Sequence, residues 1–339
     1  MPGTLPADVR AIDVLSVGDV TTDVFIRLLE ARVVDAGEGD RRLELPYGGK
    51  VRFEHAETVA AGGNSSNAAV CFARLGLAAA LVANVGGDQV GRDVLTALHR
   101  EGVDTRFVRI DPGLPTNRNF VLWYGDERTI LVHHESYEYH WPHLRPSEVP
   151  RWLYLSSLGD ETLEYYGQLA DWLEAEPAVR LAFQPGTFQI QLGTERLARL
   201  YRRADLLVCN REEAAVIGGG RHADVADLLD HLHALGPRVA VVTDGPAGAY
   251  ASDGRRRYRV PCYPDREPPL ERTGAGDAFA ATLVAALARG LPLEVGLAWA
   301  PANAMSVVHR VGSQGGLLTE KELEAELEQA PPGYAVRPL

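Results

Sequence analysis

Apolar positions recur along this chain in short continuous runs, separated by longer segments in which they return every third or fourth residue. Continuous runs bounded by turn residues predict buried strands, and the longer period predicts amphipathic helices. The first run, Ile12 to Gly18, predicts a strand. A helix is expected over Asn64 to Leu75, stopped by Gly76, then a strand over Ala79 to Val85 and a helix over Asp88 to His99. Beyond Pro150 the alternation becomes regular, with strands expected at 152–156, 180–184, 205–209 and 238–242 and helical segments between them. A hairpin from Tyr250 to Val260 turns at Asp253-Gly254, and helices at about 276–289, 293–308 and 319–329 close the chain. Strand–helix alternation of this length predicts an α/β fold, a doubly wound, mostly parallel sheet.

Two stretches break the alternation. Residues 24–60 are mixed, turn-rich and β-prone, and residues 117–134 hold two strand-like runs around Gly125-Asp126, a hairpin signal. The expectation is one domain over 1–339 in which two excursions, about 24–60 and 113–135, pair into a small β-rich lid. Such a lid would lie over the crevice at the carboxyl ends of the strands, where sheets of this kind bind ligands.

Composition narrows the classes. The chain has 339 residues, 46% apolar and 24% charged, which suits a soluble globular protein with a large core. A formal net charge of −12 argues against general nucleic-acid or membrane-surface binding, without excluding a local anion cradle. Cys71, Cys209 and Cys262 are isolated and odd in number, as expected of unpaired thiols in a reducing compartment. The first residues lack a basic-then-apolar leader, and the longest apolar stretches fall short of a membrane span. A cytoplasmic protein is expected.

Five short motifs carry candidate chemistry. In Thr273-Gly274-Ala275-Gly276-Asp277, a small-residue turn opens onto an apolar helix. Unpaired N–H groups at such a helix start converge on one spot and hold an anion, and an adjacent carboxylate can take a proton from a nucleophile. The pattern suggests phosphoryl transfer to a hydroxyl, with Gly274, Ala275 and Gly276 as anion hole and Asp277 as base. Alone, it is equally an ordinary helix start with an acid in its first turn. In Gly62-Gly63-Asn64-Ser65-Ser66-Asn67, a double glycine allows close approach or hinging, and two amides one helical turn apart suit sugar hydroxyls. Asn64 also reads as a plain helix cap.

Asp19 and Asp23 follow the first strand, where a carboxylate can accept from neighbouring hydroxyls; a solvated turn is the alternative. Asn210 and Glu213 sit three apart after the strand ending at Cys209, positioned to place Mg²⁺ directly or through water, or simply to cap a helix. Thr243, Gly245 and Gly248 lie between a strand and a hairpin, where glycines permit close approach to a flat or anionic group.

In this order and spacing the five motifs resemble the PfkB family of carbohydrate kinases, with its ribokinase-like fold, from about Asp13 to Gly316. The amino-terminal signature resembles Gly62 to Asn67 with Arg74-Leu75-Gly76, the next block resembles Val85 to Gly91, and the carboxyl-terminal signature resembles Thr273 to Phe279. The resemblance implies an ATP- and Mg²⁺-dependent kinase acting on a hydroxymethyl group of a sugar. Asp277 would be the base, Gly274, Ala275 and Gly276 the anion hole, and Asp23, Gly63 and Asn67 the substrate grip, to which the residue patterns themselves add Asp19 and Gly62 as candidates. Asn210 and Glu213 would serve Mg²⁺ and phosphate, and Thr243, Gly245 and Gly248 the ATP site, with Asn303 near the adenine. No direct protein ligand site for a metal follows from it. The lid would double as a homodimer interface, as in many members. Many members carry an acid directly before the signature Thr; here Arg272 stands there, with Glu271 one step earlier. The family's monovalent-cation site is therefore not carried over.

Other classes fit less well. A nucleoside is the main rival acceptor within the same chemistry, and a phosphosugar would call on cations such as Lys50, Arg52, Arg118 and Arg128. A dinucleotide oxidoreductase would want Gly-x-Gly-x-x-Gly where Gly18 to Asp23 stands, and Gly49-Lys50-Val51 does not complete a phosphate-binding loop of the Walker type. A non-catalytic sugar-binding protein would not need Asp277, Asn210 and Glu213 together. The stretch His133, His134, Glu135, His140 and His143 lacks a clean metal-ligand spacing and reads as a lid strand's end and a polar loop.

Overall fold

The apolar runs stack side by side into a ten-stranded sheet in this computed structural model, which describes residues 11–37, 40–125, 127–159, 162–219, 224–265, 268–270 and 272–339. Asp126 and Glu271 lie outside the described residues. From one edge inward the strands are Asp104–Asp111, Ala79–Gly86, Val14–Val17, Trp152–Leu155, Arg180–Phe183, Leu206–Asn210 and Val239–Thr243, all parallel. The hairpin Ala249–Ser252 and Arg257–Val260, then Arg337–Pro338, complete the sheet antiparallel. Every expected strand of the alternation is present, and the doubly wound reading holds.

The central strands are continuous apolar runs because both faces are covered. Val14–Val17, Ala79–Gly86 and Trp152–Leu155 are buried at every position. On one face pack the helices Asn64–Arg74, Ala275–Ala288 and Leu293–Val308, around Phe72, Leu81, Val284 and Leu297. On the other pack Leu163–Ala175, Ala198–Arg203 and Val225–Ala234, around Leu169, Leu181, Phe183 and Leu229. Ala275–Ala288 is apolar almost all round because it is nearly enclosed. Gly296 lets Leu293–Val308 approach it closely: a Cβ there would stand 2.7 Å from Leu283 Cδ1.

The two excursions form a separate four-stranded sheet, in the order Phe53–Gly62, Thr21–Leu28, Arg118–Tyr124, Glu127–Leu131. Its inner pair is parallel, Thr22 opposite Arg118 through Arg27 opposite Trp123, so the sheet is mixed. Its first strand begins at Thr21, before the expected boundary at 24. A two-stranded hairpin, Arg32–Asp35 with Arg41–Glu44, extends from it. Strand order in the large sheet reverses at Val14–Val17, and the small sheet joins the chain just past that strand's carboxyl end, over the crevice where such folds bind ligands. No helix among the described residues is long and apolar enough to cross a membrane.

Candidate active site

Carboxyl ends of five neighbouring strands and the start of one helix build the site. Gly274 takes a left-handed conformation, φ 82°, and caps Ala275–Ala288 without a side chain. A Cβ there would fall 2.4 Å from Ser313 Cβ, so only glycine fits the turn. The first N–H groups of the helix, from Ala275 to Asp277, precede its first internal bond, from Ala278 N to Gly274 O, and present partial positive charge.

Two cavities meet at this helix end. One, of about 310 Å³, is lined by Asp19, Thr21, Asp23, Gly63, Asn64, Asn67, Thr273, Gly274 and Asp277, and by Asn119, Val121, Arg128, Ile130 and His134 from the lid side. The other, of about 280 Å³, is lined by Thr243, Gly245, Pro246, Gly248, Arg272, Ala275 and Gly276. Its far wall is apolar, with Phe279, Pro301, Ala304, Met305 and Val308. The first is a slot rich in hydroxyl-binding groups. The second couples an apolar slot to a helix start, the chemistry of a purine base linked to phosphates.

Asp277 is buried at 8% exposure between them. Its Oδ2 accepts from Asn67 Nδ2 at 2.8 Å and its Oδ1 from Gln184 Nε2 at 3.3 Å. Burial raises its pKa to about 6, against the two amide donors, which lower it. A carboxyl poised there is ionised at neutral pH and still basic enough to accept a proton. Asn67 Oδ1 in turn accepts from Ser313 Oγ at 2.7 Å and Gln314 Nε2 at 3.0 Å.

The acids after the first strand are buried rather than solvated. Asp23 Oδ1 accepts from Thr21 Oγ1 and from Asn119 Nδ2, each at 2.9 Å. Asp19 Oδ1 accepts from the Tyr139 phenol at 2.7 Å, and His134 Nδ1 lies 3.3 Å from Asp19 Oδ2. Burial, then the Asp19 charge, pushes the Tyr139 phenol well up, so it stays a donor. The histidine-rich stretch thus contributes His134 to the cavity, while His133 pairs with Glu135 on the surface. Gly63, φ 101°, lets the chain pass Asp19: a Cβ would stand 2.7 Å from its carbonyl oxygen. Gly62 makes room for the Asp23 carboxylate, 2.2 Å from where its Cβ would be, and does not itself line the cavity.

Two residue readings change, and a third pair takes the helix-cap arrangement that was one of its two alternatives. Asn64 is not the helix cap; Gly63 holds that position, and Asn64 faces the first cavity. Asn303 is fully buried away from the second cavity, its amide donating to Thr282 Oγ1 at 2.8 Å and accepting from Leu318 N at 2.9 Å. Its neighbours Ala304 and Met305 supply the wall instead, since successive helix positions point to different faces. Asn210 and Glu213 cap each other: Glu213 N donates to Asn210 Oδ1 and Asn210 N to Glu213 Oε2, both at 2.8 Å. Burial raises the Glu213 pKa, and its charge contributes to raising that of Asp277. Gln184, Asn119, Tyr139 and Ser313 were not singled out from sequence. Alternation along Arg118–Tyr124 points to Asn119, but nothing local marks Gln184, which meets its partner 93 residues on.

A doubly wound sheet with a separate small sheet, an acidic slot and a helix start between two cavities is the architecture of a phosphotransferase acting on small hydroxylated molecules. The sequence profile of the pfkB family carbohydrate kinase matches residues 38–320, and the chain belongs to that family. It is 26% identical over 284 residues to 5-dehydro-2-deoxygluconokinase of Bacillus subtilis, covering 79% of this chain and 86% of that protein. It is 28% identical over 271 residues to ribokinase of the same species, covering 78% and 86%. Among solved structures, Arabidopsis thaliana ribokinase complexed with ribose and ATP superposes with a TM-score of 0.77 at 20% identity, covering 94% of this chain and 100% of that one. That likeness gives the ribokinase fold.

Proposed function

We propose that this chain transfers the γ-phosphoryl group of ATP to a hydroxymethyl group of a sugar held in the cavity of Asp19, Asp23 and Asn67. The observation that carries the reading is the position of one helix start between the two cavities, with Asp277 facing the acceptor side and Ala275 and Gly276 the nucleotide side. Asp277 takes the proton of the attacking hydroxyl as the new O–P bond forms. The bond from the γ-phosphorus to the β–γ bridging oxygen breaks, and ADP leaves with that oxygen's electron pair. The N–H groups at the turn of Gly274, Ala275 and Gly276 stabilise the charge on the transferring phosphoryl oxygens.

Mg²⁺ borne by the nucleotide would neutralise phosphate charge, with Glu213 and Asn210 meeting its water shell. The donor set fits that mode: Glu213 is a partly buried carboxylate whose charge a cation would relieve. Arg272 is exposed on the wall of the nucleotide cavity, where it adds fixed positive charge beside the phosphates, in the place of the acid that would serve a monovalent cation. The whole chain acts as one kinase unit in the cytoplasm, with the four-stranded sheet as lid. Val33 on the hairpin and Phe53, Phe120, Leu131 and Val132 in or beside the lid sheet are exposed, apolar surface that a second copy of the chain would cover.

ADP release measured over pentoses, hexoses, phosphosugars and nucleosides tests the reading and ranks the acceptors. Sugar binding without ADP release from any acceptor would instead make this a non-catalytic binding protein.

A further inference from the structure

Neither oxygen of the Asp277 carboxylate is bare: each accepts from a primary amide, Oδ2 from Asn67 and Oδ1 from Gln184. An amide can turn its NH₂ or its oxygen toward a carboxylate, and only the NH₂ face attracts the ionised form. What the amide's other end meets helps to set the choice. The Asn67 oxygen is taken by Ser313 and Gln314. The Gln184 oxygen accepts from the Tyr154 phenol. Tyr154 is a core residue at 1% exposure, packed edge-on against Phe72 with ring centroids 5.6 Å apart. It lies on Trp152–Leu155, and Gln184 directly follows the adjoining strand Arg180–Phe183, where Leu155 pairs with Phe183. The Gln184 arm is therefore built on the rigid sheet, whereas the Asn67 arm depends on the turn that carries Ser313 and Gln314. Gln184 Nε2 is also the nearest atom, 3.9 Å away, to the place a Cβ on Gly276 would occupy, so this amide sits between the base and the phosphate-facing turn.

We propose that Gln184, anchored by Tyr154, is a positioning residue for phosphoryl transfer: it holds the Asp277 carboxylate ionised and aimed into the acceptor cavity, opposite the Asn67–Ser313 arm. The inference rests on Asp277 being the base. The other ionisable groups acting on Asp277 are Asp23 from the lid and Glu213 from the neighbouring strand end, both of which disfavour its charge, with Tyr154 and Cys71 in the core beside it. Arg128 and His134 line the same cavity from the lid side. Against two acids and burial, the loss of one amide donor leaves Asp277 harder to ionise.

The test is the pH dependence of kcat/KM in Gln184→Leu and Tyr154→Phe, with Asp277→Asn as reference and circular dichroism as the check on folding. Gln184→Leu should move the acid limb upward by about one pH unit, the scale of a lost hydrogen bond to a charged group, and lower kcat/KM about fivefold at pH 6, where half of the native Asp277 is ionised. Tyr154→Phe keeps the ring packing and should move the limb in the same direction by less, so it carries the test if the leucine variant misfolds. A fall in kcat/KM with the limb unmoved in the folded variants would overturn the positioning role and leave a packing role only. If Asp277→Asn itself turns over near the native rate, the base assignment fails first and takes this inference with it. An inactive Asp277→Asn beside an unmoved limb sinks the inference alone.

Discussion

Replacing Asp277 by Asn should abolish most of the activity and stabilise the protein, in a pH-dependent way. The folded-state pKa of Asp277 is about 6 and its ordinary value is 3.8, the cause being burial. Because the folded form holds the proton more tightly, folding takes one up between these values, and stability falls as pH rises through that window. At pH 7.5 the shift corresponds to about 3 kcal/mol of destabilisation, and at pH 5 to about half of that. Asparagine keeps the shape without the charge, although its NH₂ must face one of the two amide donors, which offsets part of the gain. The expected advantage is about 1–3 kcal/mol at pH 7.5, shrinking by about 1 kcal/mol at pH 5. Turnover should fall by roughly 10²–10⁴ while ATP binding persists. Urea denaturation of both proteins at the two pH values, beside an ADP-release assay, measures all of this. An asparagine variant no more stable than the native protein, or one whose advantage ignores pH, would refute a buried ionised carboxylate. Near-native turnover would refute the base.

The two glycines of the turn should behave differently. Gly274→Ala should cost at least about 2 kcal/mol in a denaturant titration, since φ 82° and the Ser313 contact both oppose a side chain. A Cβ on Gly276 meets no atom from outside its own helix closer than Gln184 Nε2 at 3.9 Å, so Gly276→Val should leave the melting temperature near native and lower turnover; a melting shift with normal turnover would make the turn structural only. Arg272→Ala should raise KM for ATP roughly tenfold, and native turnover should be the same in sodium and potassium salts; a strong potassium requirement would show that the cation site survives. Saturating sugar should slow proteolysis within 24–60 or 113–135, and light scattering should give twice the chain mass; unchanged cutting or a monomer mass would count against the lid as gate or as interface.

Most of the central sheet is legible from the chain because its strands are buried on both faces and read as unbroken apolar runs. Asp104–Asp111 escapes because it is an edge strand, with charged residues among its apolar ones and mixed burial. The lid was legible as two β-prone excursions, but the parallel pairing of Thr21–Leu28 with Arg118–Tyr124 joins segments about a hundred residues apart and leaves no local mark. The site divides the same way. Glycine turns at helix starts are local geometry and show in the sequence. Amide contacts to Asp277 come from Asn67, which sits in a motif, and from Gln184, whose surroundings Phe183-Gln184-Pro185 carry no spacing signal. The family resemblance alone places Asn303 near the adenine, whereas its amide is spent on satisfying the core and the Leu318 backbone.

The proposed acceptor cavity has a floor and a roof of different origin. Asn67, Thr273, Gly274 and Asp277 form the floor, which belongs to the core and backs onto the cavity lined by Gly245, Gly248 and Gly276. Asn119, Val121, Arg128 and Ile130 come from two adjacent lid strands at two-residue spacing, with Val121 directly opposite Ile130. A change in the floor meant to admit a new sugar would therefore disturb the phosphate end of the reaction as well. A change in the roof need not. The ancestry of acceptor preference in such a chain should be written in those few inward-facing lid positions, and they are where a library aimed at a new acceptor should begin.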